Sequence, residues 1–160
     1  MIIKRGCEHS NGSSLCFGVI CLFVHVSLSD IFKVMRVFKN RFFNRWADAE
    51  GVSDDTLWTA AKDVALGYVE ADLGKCLFKK RIARQNVGKS KGFRVLVGYR
   101  KPDSSRVVFL YAFAKNERSS ITQKEKKALQ LVAREFVDAT DEQIAELLSS
   151  KEYREIPAYE

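Results

Sequence analysis

The sequence predicts an α+β domain, and three observations carry that reading. Between residues 77 and 115 lie three runs rich in aromatic and β-branched residues, joined by segments that hold Gly, Pro or Ser. Ahead of them stand two segments with helix-capping residues and apolar side chains at helical spacing. Behind them come two capping-box patterns, Thr122 with Glu125 and Thr140 with Gln143.

Taken in order, residues 1–34 differ in composition from the rest. Lys4, Arg5 and a polar patch precede an apolar run over 15–28. That run falls short of the roughly 20 residues a transmembrane helix needs. A basic start and a short apolar core resemble a secretory signal, but no A-x-A-like pair precedes Asp30. Three readings stay open: a signal or anchor, an added structural element, or an upstream extension of a reading frame that starts naturally at Met35. The expected organisation is an N-terminal extension over 1–34 and a single folded domain over 35–160, a length that suits one core.

From Ile31 the run IFKVMRVF alternates enough for a first strand. Asn40 can cap a short helix with Phe42, Phe43 and Trp46 on one side, which Gly51 would end. Ser53 caps a second helix, with Asp54 and Asp55 at the positive end of its dipole and Leu57, Ala61, Val64 and Ala65 at core spacing. Gly67 or Gly74 marks its exit. Strands are expected over 77–84, 93–100 and 106–115, the last two joined as a hairpin through Pro102 and Asp103. The third is apolar at both parities and should be central. A helix opening at Thr122 presents Leu129, Val132, Ala133 and Phe136, and a second over 141–149 presents Ile144, Leu147 and Leu148. The tail beyond it, with Pro157, is expected to fray.

Charge gives the functional lead. The chain carries 27 Lys and Arg against 20 Asp and Glu, a net charge of +7. The excess is concentrated: Lys75 to Lys101 contains ten basic residues (Lys75, Lys79, Lys80, Arg81, Arg84, Lys89, Lys91, Arg94, Arg100 and Lys101) and no acid. Aromatic and β-branched residues sit among them. A basic, aromatic-bearing sheet is equipment for a polyanion, single-stranded RNA or DNA above all; a solvated edge hairpin needs fewer charges. If Phe93, Val95, Val97 and Tyr99 face the helices, Arg94 and Arg100 face away, and the same parity places Lys79 and Arg81 outward. One exposed sheet face would then collect Lys79, Arg81 and Arg94, with Lys115 at a strand end. The acids of 141–160 could fold near this face and partly neutralise it.

Other chemistry is restricted. Both histidines, His9 and His25, and three of the four cysteines, Cys7, Cys16 and Cys21, lie in 1–34, leaving the body Cys76 alone. Zinc sites and serine or cysteine triads need more such residues, so no metal and no cofactor is expected. GKSKG at 88–92 lacks the Walker spacing and precedes a strand, which reads as a basic loop. Lysines crowded with Lys79, Lys80, Arg81 and Arg94 would have a lowered proton affinity, which suits acid–base work.

The blocks MRVFKNRFFNRWADAEGVSDDTL, ADLGKCLFKKRIAR, KSKGFRVLVGYRK and FLYAFAKNERSSIT also resemble, in order and spacing from Met35 to about Leu148, the RelE/HigB-type toxins of bacterial type II toxin–antitoxin systems. The resemblance implies a small RelE-like fold, two N-terminal and further C-terminal helices around a curved, mostly antiparallel sheet. It implies a metal-independent endoribonuclease acting on mRNA, often in the ribosome, in the cytoplasm and off the membrane, neutralised by a cognate antitoxin. Arg94 matches the arginine that binds the scissile phosphate, Lys79 and Arg81 fall in the block of sheet cations, and Lys115 matches a lysine after an aromatic-x pair. These four are the candidate catalytic residues. Lys80, Arg84, Lys89, Lys91, Arg100 and Tyr111 are candidate RNA-binding residues, Tyr111 being the nearest counterpart of a catalytic tyrosine. Asn116 and Glu117 depart from the second lysine frequent in HigB-type relatives. A non-catalytic RNA- or protein-binding module and a gyrase-targeting toxin of the same fold remain as alternatives.

Overall fold

The computed structural model describes residues 35–83, 92–100 and 105–158. The chain forms β1 (Arg36–Asn40), α1 (Arg41–Glu50), α2 (Asp54–Leu66), β2 (Ala71–Gly74), β3 (Leu77–Ile82), β4 (Phe93–Tyr99), β5 (Arg106–Ala114), α3 (Gln123–Asp138), α4 (Asp141–Ser149) and β6 (Tyr153–Ile156). The strands make one sheet in the order β2-β3-β4-β5-β1-β6. Among the described residues β1 and β5 pair in parallel, and the other pairs are antiparallel. The fold class is therefore the α+β architecture expected.

Local chemistry sets the helix limits. Asn40 Oδ1 accepts from Phe43 N at 2.7 Å to start α1, and Gly51, at φ 66°, closes it in the left-handed region. Ser53 starts α2, and Gly67 ends it at φ 92°. Both capping boxes ahead of α3 and α4 are complete.

Two apolar layers flank the sheet. On one face α1 and α2 bury Phe43, Ala47, Leu57, Ala61 and Val64 against Val37, Val95, Val97 and Phe109. On the other, Ala133 and Phe136 of α3 and Ile144 of α4 cover Phe38, Leu77, Leu96, Val108 and Leu110. Both faces are thus occupied, and the sheet face expected to lie open is instead largely roofed by α3 and α4.

Two expectations are corrected here, and two features appear that were not expected. The tail does not fray: β6 pairs with β1, Ile156 is 1% exposed, and Trp58 Nε1 donates to Pro157 O at 2.6 Å. Among the described acids of 141–158, Glu155 pairs with Arg36 and Asp141 with Arg36 and Arg106, toward the end of the sheet opposite Arg94. A further strand, β2, precedes β3 through the tight turn Lys75–Cys76, whose residues sit at φ 50° and 65°. Two consecutive left-handed residues are the geometry of a type I′ hairpin turn, ordinarily an Asn-Gly or Asp-Gly signal, which Lys-Cys conceals. Finally, β5 slips by one residue against β4: Phe109 pairs with Val97 but Tyr111 with Leu96, leaving Leu110 over. Beyond that bulge the parity of β5 reverses, so Tyr111 and Phe113 share the face of Leu96 and Arg94. The expected loops at 84–91 and 101–104, with Arg84, Lys89, Lys91 and Lys101, and the whole of 1–34, lie outside the described residues.

Candidate functional site

Strand register brings the central cations together. Arg81 stands opposite Arg94, and Arg94 opposite Phe113; one step along, Lys79 stands opposite Leu96, and Leu96 opposite Tyr111. Lys79, Arg81 and Arg94 therefore share the α3 face of the sheet, at the end that α3 does not reach with its apolar residues. Parity read from the sequence gave this grouping.

Exposure is where the expectation fails. The Arg94 side chain is only 10% exposed, and its Nε lies 2.5 Å from Glu70 Oε2. Lys79 Nζ reaches the other oxygen, Glu70 Oε1, at 3.2 Å. One carboxylate thus bridges two sheet cations. Burial pushes the Glu70 carboxyl up, but the hydrogen bonds and charges of Lys79 and Arg94 outweigh it and hold its pKa below the ordinary carboxylate value. The crowd of like charges expected at this point is relieved by Glu70. Arg94 retains donor capacity, because Nη1 is buried with no hydrogen-bond partner among the described residues. Arg81 is exposed beside Arg94, against Gly92, where a Cβ would lie 2.8 Å from Ile82 O and 3.1 Å from Arg81 Nε. Tyr68, Val69, Glu70, Lys80, Arg81 and Arg94 line a shallow depression of about 550 Å³.

The other candidates are dispersed. Lys80 borders the depression from the opposite sheet face, its ammonium donating to Asp63 Oδ2 at 2.6 Å and to Tyr68 O at 2.9 Å. Arg100 follows the far end of β4, paired with Asp138 and raised in pKa chiefly by its contact with Cys76. Six residue steps separate it from Arg94, roughly 20 Å. Lys115 is exposed in the turn that follows β5. Tyr111 is half-buried on the Lys79–Leu96 row, with its Oη 3.4 Å from Arg118 Nη1. Arg118 is fixed in turn by a two-pronged pair with Glu125, whose carboxyl falls to about 2, first through Arg118 and then through its bonds with Thr122.

Glu70 and Arg118 were not singled out from the sequence. Glu70 lies just outside the acid-free stretch, and only the unforeseen strand β2, which starts at the next residue, folds it back onto Lys79. Among the described residues no group of His, Cys, Asp and Glu could hold a metal ion, and no helix among them is long and apolar enough to cross a membrane.

Fold and site together define a small basic α+β protein whose sheet carries a cationic cluster able to grip an oxyanion from two sides. A sequence model of the family described as the RelE toxin of the RelE/RelB toxin–antitoxin system matches residues 35–156. The match covers most of the chain, and the protein belongs to that family. Membership supports a toxin role and implies a cognate antitoxin as partner. No curated protein matches the chain.

Proposed function

We propose that the protein is a toxin that cleaves mRNA as an endoribonuclease, with Lys79, Arg81, Arg94 and Glu70 at its centre. The observation that carries this reading is the bridge from Glu70 to both Lys79 and Arg94. A bidentate oxyanion already sits between two fixed cations, and a phosphodiester offers the same pair of oxygens with the same charge.

RNA supplies its own nucleophile, so cleavage requires a base for the 2′-hydroxyl, stabilisation of the phosphorane and a proton for the leaving 5′-oxygen. The incoming phosphate displaces Glu70 from Arg94 and Lys79. That exchange removes the contacts that lower the Glu70 proton affinity, so the carboxylate becomes a better base when substrate arrives. Glu70 takes the 2′-hydroxyl proton, and the 2′-oxygen attacks phosphorus. Arg94, with Arg81 alongside, holds the non-bridging oxygens as negative charge builds on them. The 5′-oxygen leaves with a proton from the Lys79 ammonium, giving a 2′,3′-cyclic phosphate and a 5′-hydroxyl end. Lys115 and Tyr111 flank the path of the strand.

The test is an RNA cleavage assay with purified protein, run on RNA alone and on mRNA held by ribosomes, with the ends of the fragments identified. Cyclic phosphate and 5′-hydroxyl termini are expected. Intact RNA under both conditions would remove the nuclease reading and leave a binding module or a gyrase-directed toxin, the latter read by loss of supercoiling activity.

A further inference from the structure

We infer that the groove between the start of α1 and the turn leading into β6 is a second RNA contact site, which holds the sugar–phosphate backbone a few nucleotides from the Arg94 cluster. Arg41 and Arg45 reach it from successive turns of α1, and Lys151 and Arg154 from the segment between α4 and β6. Leu148 and Tyr153 also line it, in a cleft of about 450 Å³. The i and i+4 spacing of Arg41 and Arg45 puts both on one helix face. Arg154 alternates with Tyr153 and Glu155 along β6.

The charges are available to a ligand. Arg45, Lys151 and Arg154 are exposed, with no ion pair among the described residues, and Arg41 has only a 3.9 Å approach to the equally exposed Glu152. The acid that lines the groove, Glu155, is taken by Arg36, which donates to both of its oxygens at 2.7 Å. This contrasts with the Arg94 cluster, where an internal carboxylate must be displaced. Four cations around one cleft, three of them without an ion pair among the described residues, are a phosphate-binding arrangement.

A second feature favours RNA among polyanions. Asn44, between the two arginines in sequence, also lines the groove. Its Nδ2 donates to Asp48 at 3.0 Å, which orients the amide, while Oδ1 is shielded from solvent and has no hydrogen-bond partner among the described residues. An unpaired acceptor beside a phosphate site matches the hydroxyl donor of a ribose. Side chains of the groove must shift for a ligand to reach that oxygen.

Topology aligns the groove with the cluster. β1 and β5 run in parallel and β4 and β6 against them, so Asn40, Tyr153, Ala114 and Phe93 all lie toward the same end of the sheet. Three strand spacings separate β6 from β4, which is roughly 15 Å. Exposed Lys115, after β5, lies on the way. An extended strand crossing this end of the sheet meets all three.

The proposal rests on the RNA reading of the protein, and its test separates the two. Binding of a trinucleotide RNA, a twelve-nucleotide RNA and the matching twelve-nucleotide DNA is measured by fluorescence anisotropy at several salt concentrations. The parent is compared with the Arg45→Glu/Arg154→Glu double variant and with Asn44→Ala, after thermal melting has checked that each folds. In the double variant the affinity advantage of the long RNA over the trinucleotide should fall by about tenfold, and its salt slope by about 2. Asn44→Ala should narrow the preference for RNA over DNA. Long-RNA affinity and slope unchanged from a parent that does bind RNA would overturn the groove alone. Equal parental affinity for DNA, or displacement of long RNA by polyglutamate at equal charge, would overturn its assignment to RNA. A parent that binds no RNA would overturn the functional reading and the groove with it.

Discussion

Asn40 ties β1 to the irregular point of β5: its Nδ2 donates to the carbonyl of Leu110 at 2.8 Å, and Leu110 is the residue that has no partner in β4. The other half of the same amide, Oδ1, caps α1 through Phe43 N. One side chain thus fixes where the first helix begins and where the parity of β5 reverses, and the reversal carries Tyr111 to the Lys79 row. Asn40→Ala should cost about 1 kcal/mol for the lost cap and about 1 to 3 kcal/mol for a carbonyl left without its donor. Asn40→Asp keeps the capping oxygen but not the amide donor, so it should recover only the first part. Urea unfolding of the three proteins checks the ordering; equal stability of the aspartate variant and the parent would show that the Leu110 bond contributes nothing.

The Leu110 bulge marks the boundary of what the sequence discloses. Helix starts were legible because Asn40, Ser53, Thr122 and Thr140 each carry their own capping atom, and the structure uses all four. The grouping of Lys79, Arg81 and Arg94 was legible because β3 and β4 pair with no slip over those residues. The burial of Arg94 was not, nor was the cover over the rest of that face. The roof over that face comes from α3 and α4, and nothing local in FKKRI or GFRVLV says which face a distant helix will cover. Glu70 was hidden for a related reason, since β2 is four residues long and its turn needs no glycine at Lys75 or Cys76. Strand β6 was hidden because YREI beside a proline looks like a tail until β1 supplies its partner.

That partner makes the tail a stability element. Ile156 is fully buried against the α1/α2 layer. Ile156→Ala should destabilise by about 2 to 5 kcal/mol, the range for removing a buried aliphatic side chain. The midpoint of denaturant unfolding is the measurement. A change within about 0.5 kcal/mol, as for an exposed substitution, would return the tail to a frayed end.

Acid should loosen the fold through two carboxylates. Glu125 is lowered to about 2 by Arg118 and then by Thr122, and Glu70 is lowered because Lys79 and Arg94 outweigh its burial. A group whose folded pKa is depressed stabilises above its unfolded value and loses that contribution as pH falls through the folded one. For Glu125 the window runs from about 4.5 down to about 2. Stability measured by urea midpoint should decline across it, and Glu125→Gln should flatten the decline. A parent and variant with parallel profiles would mean that the Arg118 pair is spent in solvent.

Glu70 is both competitor and base in the proposed mechanism, and the two roles move opposite readouts. Glu70→Gln removes the anion that RNA must displace, so binding should tighten several-fold. Cleavage should nevertheless fall by about 10² to 10⁴, the usual contribution of a positioned general base. Tighter binding with faster cleavage would make Glu70 a competitor only and pass the base role elsewhere, with Lys115 the next residue to vary.

Arg94 carries the most weight, and its burial changes what its variants should show. An outward arginine would leave stability untouched on removal. Here Arg94→Ala strands Glu70 beside Lys79 and opens a gap on the row between Arg81 and Phe113. Removing one partner of a fully buried pair costs about 3 to 5 kcal/mol, and because Glu70 is a third exposed the expected loss is nearer 1 to 2 kcal/mol. Cleavage should drop by about 10² to 10³, as for removal of one preorganised donor. The two effects must be separated, and Arg94→Lys does so. Lysine keeps a charge near Glu70 and most of the stability, but it cannot offer two parallel N–H groups to a phosphate. The expected result is near-parental melting, retained RNA binding and cleavage still reduced by more than tenfold. If Arg94→Lys cleaves at the parental rate, the guanidinium serves only to hold Glu70 in place, and the phosphate site must be sought at Arg81.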